Sequence, residues 1–252
     1  MARRLGLLLL LGFLTLAASA APVEQRYLGY ATDLETGAYR YTEVHRHRYE
    51  GNRWLGGSIR YVAPDGRLLG EKTLDFSRDP FVPLTRYRLT SPAYEEVIRA
   101  VGPDRVDMEK FSDGRRETAS LARAGEFAAD SGFHAYIVAN LDALRAGQVK
   151  TMRLGVVGQL DQYRFRIRKL ADLQREGEPA LRLQIEPDSL LRFLVPSLTV
   201  VYGLQSQRLL EYVGVSNLLD PQTGKAWNVR IVYTRQPPAG APRQVLALLD
   251  GD

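Results

Sequence analysis

The chain has 252 residues, 45% of them hydrophobic and 25% charged, with 34 Lys and Arg against 29 Asp and Glu and no cysteine. That length and apolar share suffice for a core without staples and argue against general disorder. Without cysteine, disulfides, thiolate catalysis, Cys-ligated zinc and iron–sulfur clusters are all excluded.

Residues 1–20 read as an export signal. Arg3 and Arg4 precede an apolar run over 5–17, and Ala18-Ser19-Ala20 supplies a small-x-small cleavage site. The run, about 13 residues, falls short of the ~20 that a spanning helix needs. No cysteine follows it, so lipid anchoring is not expected. The expected product is a soluble periplasmic protein that starts at Ala21. Removing the two arginines lowers the net charge of +5 by two, and an exported chain so nearly balanced is not expected to bind nucleic acid.

Beyond the leader, period-two alternation predicts strands over 38–49, 54–62, 67–76, 84–89, 94–101, 105–111 and 115–121. Turn chemistry separates them, notably Pro64-Asp65-Gly66, Gly102-Pro103-Asp104 and Ser112-Asp113-Gly114. Phe133, Tyr136, Ile137, Leu141 and Leu144 then repeat at helical spacing, predicting one helix over 133–146 that Gly147 ends. Strands resume over 151–157, 162–170 and 180–186. Residues 188–195 crowd Leu190, Leu191, Phe193, Leu194 and Val195 between Asp188 and Pro196. A short helix apolar on nearly every side must be buried or cover something, so a lid is expected there. Strands over 198–202, 209–215 and 226–233 complete the pattern, and 236–252 is a Pro/Gly/Ala linker with a short apolar tail. The expectation is a single mainly β domain over 21–235: a curved antiparallel sheet or half-open barrel with one central helix and a short lid-like helix.

Alternation also assigns faces. Tyr39, Tyr41, Glu43, His45, His47 and Tyr49 share one face of the strand over 38–49, with Arg46 and Arg48 on the other. Such a face either lines a barrel that orients a ligand through hydroxyls and imidazoles or lies outside on a twisted sheet. Arg164, Arg166 and Arg168, and Arg86 with Arg88, form further basic rows. These are either an exterior paired with neighbouring carboxylates or a surface for peripheral contact with the anionic cell envelope.

Catalytic signals are sparse. The three histidines, His45, His47 and His134, equal the number that catalytic zinc takes beside water, but no carboxylate is evidently placed to orient them. No metal or other cofactor is therefore expected. Gly214-Val215-Ser216-Asn217-Leu218 lacks the second glycine of a nucleophile elbow. Nucleotide-binding, HExxH and EF-hand patterns are absent.

The entry hairpins, the helix over 133–147, and the closing runs 198–202, 209–218 and 229–233 together resemble a family of uncharacterised exported bacterial β-barrel-like proteins. That family is distantly similar in architecture to the periplasmic lipoprotein carriers. The resemblance implies a half-open barrel and apolar-ligand binding, and it transfers no site residue. The expected function is a non-enzymatic periplasmic module for a lipid-like or amphipathic ligand, held by Tyr39, Tyr41, Glu43, His45, His47 and Tyr49 under Leu190, Leu191, Phe193 and Leu194. Its rivals are a metal-dependent hydrolase using His45, His47 and His134, and an envelope assembly factor that pairs through a sheet edge.

Overall fold

A computed structural model describes residues 21–188, 197–220 and 223–250. The residues expected to form the leader, and all of the expected lid but Asp188, including Leu190, Leu191, Phe193 and Leu194, lie outside the described residues.

Among the described residues, fifteen strands form one curved sheet. The first meander comprises β1 (Val23–Asp33), β2 (Tyr39–Glu50), β3 (Arg53–Val62), β4 (Leu68–Asp75), β5 (Leu84–Leu89), β6 (Tyr94–Val101), β7 (Arg105–Ser112) and β8 (Arg115–Ala122). The second comprises β9 (Phe127–Ala129), β10 (Lys150–Val156), β11 (Asp161–Arg175), β12 (Glu178–Pro187), β13 (Leu198–Gly203), β14 (Leu209–Leu219) and β15 (Ala226–Val232). Within each meander every strand pairs with its neighbours in sequence, and the two meanders meet where β1 lies antiparallel to β15, Tyr30 opposite Val232. Tight turns between alternating runs leave a chain little choice but to pair locally.

The sheet is otherwise antiparallel, but β9 runs parallel to β10. A parallel pair needs a crossover, and the helical segment supplies it. That segment is two short helices rather than the single one expected over 133–146: α1 (Gly132–Ala139) and α2 (Leu141–Arg145). The break falls at Asn140, whose backbone leaves helical geometry while its side-chain amide donates to the Tyr136 carbonyl at 2.9 Å. Asparagine offers the backbone this alternative to a continuous helix.

Tyr136, Ile137, Leu141 and Leu144 plug one half of the sheet, packing on Met152, Ile167, Leu181, Leu183 and Val200. Beside this plug, Tyr41, Ile59, Tyr61, Leu74, Tyr87, Val229 and Ile231 line the other half. The sheet curls until β9 and the turn at Val157–Gln159 press on β6 and β7 through Phe127, Ala129, Val157, Ile98, Val106 and Met108. Side chains, rather than a hydrogen-bonded ladder, close the circuit among the described residues. On the reverse face, Leu28, Tyr30, Val44 and Val62 are covered by Val245 of the C-terminal 3-10 turn Val245–Leu249.

The rows on β11 and β5 have partners. Glu186 takes Arg166 and Arg168, Asp188 takes Arg164, and Glu95 takes Arg86 and Arg88. Such rim pairs add little stability each.

Candidate functional site

The face of β2 that alternation singled out turns inward. Glu43, His45 and His47 are 5%, 6% and 2% exposed. A buried carboxylate and two imidazoles at successive interior positions must find partners, because an unpaired polar group there costs several times the worth of an ordinary hydrogen bond. They find each other. Glu43 Oε2 lies 2.9 Å from His45 Nε2, His45 Nδ1 lies 3.3 Å from His47 Nε2, and His47 Nδ1 lies 3.1 Å from the Tyr27 hydroxyl of β1. Tyr233, just beyond β15, donates its hydroxyl to Glu43 Oε2 at 2.9 Å.

A carboxylate oxygen only accepts, so His45 donates from Nε2 to Glu43, an ion pair when the ring is protonated. The contacts beyond it, His45 Nδ1 to His47 Nε2 and His47 Nδ1 to the Tyr27 hydroxyl, run in the direction that the tautomers set, and every ring nitrogen of both imidazoles has a partner. Burial, with repulsion from His45 and His134, holds the His47 pKa well below the ordinary histidine value. Burial and the nearby phenol of Tyr49 and carboxylate of Glu43 push Tyr27 up, keeping it a neutral phenol.

Aromatic rings wall this chain. Tyr27 stacks on His45 with centroids 4.5 Å apart, and Trp54 of β3 lies 4.5 Å from His47. The Trp54 indole N–H is spent on the Gly56 carbonyl at 3.1 Å. Gly56 and Gly57 let the backbone of β3 approach its neighbours β4 and β2 closely. A Cβ on Gly57 would stand 2.0 Å from the Arg46 carbonyl oxygen, and its φ of +151° is one L side chains rarely adopt. The plug contributes His134 of α1, whose Nδ1 is 2.7 Å from the Tyr202 hydroxyl and whose ring meets Trp54 edge-on at 5.7 Å. Burial lowers its pKa to about 4.

A buried ion pair sets the position of α1. Lys72 Nζ of β4 donates to both Asp130 oxygens at 2.9 and 2.8 Å, with each side chain 5% exposed. Burial works against both charges, yet the Asp130 charge raises the lysine pKa and the lysine lowers that of Asp130. Two residues on, Gly132 passes so close to Phe81 that a Cβ would be 1.8 Å from its carbonyl oxygen. The helix therefore starts at one fixed place, with Phe133 and His134 facing the cleft.

Two adjoining chambers result. The inner one, about 150 Å3, is lined by Glu43, His45, His47, Tyr41, Tyr212 and Tyr233 among others. The outer one, about 530 Å3, opens among Tyr49, Asn52, Asp142 and Arg208. Tyr27, Trp54, His134 and Leu209 wall both.

The structure thus gathers Tyr41, Glu43, His45, His47 and Tyr49 into one cleft, but not Tyr39. A bulge drops Arg40 from the pairing, Tyr41 facing Ala31 and Tyr39 facing Thr32, and this flips Tyr39 to the reverse face. There it packs with Leu28 and Val44 and bonds the Thr42 hydroxyl at 2.8 Å. Period-two reading carries no sign of an inserted residue. The three histidines share the cleft, but Trp54 touches both His47 and His134, and the nitrogens of His45 and His47 are committed to the chain. Among the described residues no three His, Asp or Glu side chains are arranged to hold a metal ion. Tyr27, Trp54, Tyr233, Lys72 and Asp130 are additional members of the site. Lys72 had a sequence signal, since it shares its strand face with Leu68, Leu74 and Phe76.

No protein-family model and no curated protein matches the chain. Among solved structures it is similar to the crystal structure of a beta-barrel-like protein of domain of unknown function DUF1849 from Brucella abortus. The TM-score is 0.43 and the identity 8%, over 84% of this chain and 96% of that one.

Proposed function

We propose that the protein is an exported, non-enzymatic binding module that holds a small amphipathic ligand in the cleft between the two meanders. The observation that carries this reading is a buried, internally satisfied polar chain set in aromatic walls beside an open outer chamber. The chambers together have the size and mixed lining of a small-molecule site. Their inner walls carry more tyrosine, tryptophan and histidine than the aliphatic Ile59, Leu209, Val215 and Ile231, which favours a compact molecule with an aromatic or short apolar body over a long acyl chain. Export rests on Arg3, Arg4 and the Ala18-Ser19-Ala20 motif, and the periplasm is the compartment it implies.

Native mass spectrometry of protein extracted from the periplasm tests this in one measurement. The expected result is a chain beginning at Ala21 that carries a small organic adduct, displaced when the neutral fluorescent probe N-phenylnaphthylamine is added. Trp54 reports the same event, since it walls both chambers while Trp227 lines neither. A probe that binds wild type and Trp54→Phe alike, without quenching tryptophan emission, would refute the cleft as the site.

A further inference from the structure

The outer chamber is lined by two chemistries that come from different elements. The plug turns the apolar side chains of Ala135, Val138 and Leu141 toward it. The end of β2 and the turn between β13 and β14 bring Tyr49 and Arg208 to the same space.

Arg208 is a charge without a partner. A guanidinium stays protonated throughout the working pH range, so its charge depends on no neighbour's titration. It is half-buried and lies 5.7 Å from the centre of the Tyr27 ring, and among the described residues none accepts a hydrogen bond from it or forms an ion pair with it. The turn that carries it is pinned. Glu178 of β12 accepts from the Gln205 N–H at 3.0 Å and from the N–H and hydroxyl of Ser206 at 2.9 and 2.6 Å. The Gly203 N–H donates to the Arg208 carbonyl at 3.0 Å. Glu178 feels the Arg208 charge, but both its oxygens are engaged by the turn.

The other charges of this lining are placed differently. Arg53 is exposed and pairs with Glu50 at 2.8 Å. Asp142 is exposed in the first turn of α2, where it keeps its hydration, and it makes no ion pair with Arg208. The Tyr49 hydroxyl has no hydrogen-bond partner among the described residues. Burial pushes its pKa up to about 12 against the pull of Arg208, which leaves a phenol free to donate at neutral pH.

We infer that the outer chamber takes the carboxylate of a small anionic amphiphile, with the Arg208 guanidinium and the Tyr49 hydroxyl as donors to the head and Ala135, Val138 and Leu141 along the apolar body. This rests on the cleft being a ligand site and names the ligand's chemistry. The parallel N–H donors of a guanidinium match the two oxygens of a carboxylate, and one uncompensated positive charge calls for one negative charge. The chamber of about 530 Å3 has room for a phenylalkyl body beside that head.

Three probes with one body and different heads test the inference on the full chain by calorimetry at low salt: phenylbutyrate, phenylbutanol and phenylbutylamine. Phenylbutyrate is expected to bind about tenfold tighter than the alcohol, the scale of one hydrogen bond to a charged group, with the amine weakest. Arg208→Gln is expected to bring the acid to the level of the alcohol and to leave the alcohol's own affinity unchanged. Tyr49→Phe should reduce the preference about threefold, the scale of one ordinary hydrogen bond, and Arg53→Gln should leave it intact. An acid that binds no tighter than the alcohol overturns the inference, as does an amine that binds tightest or a preference that survives in Arg208→Gln. If that variant does not fold, the ranking of the three probes on wild type decides alone. Binding of N-phenylnaphthylamine with no preference for the acid refutes the inference and leaves the cleft standing, whereas failure of every probe refutes both.

Discussion

Replacing Lys72 with methionine isolates the energetic cost of the pair that fixes α1. The substitution keeps the length of the side chain and removes its charge, leaving the Asp130 carboxylate buried with only the Ser131 N–H and hydroxyl as partners. Because each member is 5% exposed, the carboxylate cannot recover its hydration. Breaking a buried pair from one side costs about 3–5 kcal/mol, and for a domain this large about 2–4 °C of Tm accompanies each kcal/mol. Lys72→Met is therefore expected to lower Tm by roughly 6–20 °C. The double variant Lys72→Met/Asp130→Asn removes both charges and should recover most of that loss, since the desolvation penalty disappears with them. Asparagine suits this position, whose φ is +47°. Urea unfolding of wild type, both singles and the double gives the coupling directly. Singles within about 1 kcal/mol of wild type, or a double as costly as the sum of the singles, would refute the argument that the charges hold each other in place.

The other expectations are narrower. Because burial sets the His134 pKa at about 4 and an unfolded histidine titrates near 6.5, its contribution is complete above about pH 6.5 and is lost as pH falls toward 4. The loss reaches at most about 3 kcal/mol, since the ring partly faces the cleft, and His47 acts with the same sign. Urea midpoints across that range should flatten in His134→Gln, and identical profiles would contradict the assignment. Gly57→Ala forces a side chain against the Arg46 carbonyl and is expected to cost about 3 kcal/mol or more. Gly102→Ala, whose Cβ meets nothing nearer than 3.5 Å, is the control and should change the midpoint little.

Much of the fold was legible because hairpins are local. Pro64-Asp65-Gly66 and Asp113-Gly114 mark turns by their own chemistry, and the strands they separate pair where alternation put them. The break at Asn140 was hidden within an unbroken helical stripe, because Leu141 and Leu144 keep the spacing across it. The short strand β9, three residues long, carries too few positions to show a period. In the site, Glu43, His45 and His47 were legible as a set because they lie on one strand. Tyr27 and Trp54 come from the two strands paired with it, β1 and β3, through registers that alternation does not specify, whereas Tyr233 reaches Glu43 from just beyond β15 and Asp130 reaches Lys72 only because the sheet curls. Tyr39 shows the converse: a single bulge overrode a correct period.

The junction of β1 with β15 has a consequence for how the molecule assembles. Turns between consecutive strands close loops of a few residues, but Tyr30 and Val232 lie about 200 residues apart, and closing that span costs about 3 kcal/mol more than closing a ten-residue hairpin. The contacts that reward this closure are those of the cleft: Tyr233 reaches Glu43, and the Tyr41 hydroxyl reaches Ser216 at 2.8 Å, each from one meander to the other. Each meander can form its own hairpins early, while the cleft exists only after the two have joined. A molecule bound there grips both halves at once, so it acts as a rivet on the slowest joint of the structure and its occupancy adds directly to the free energy that holds the joint shut.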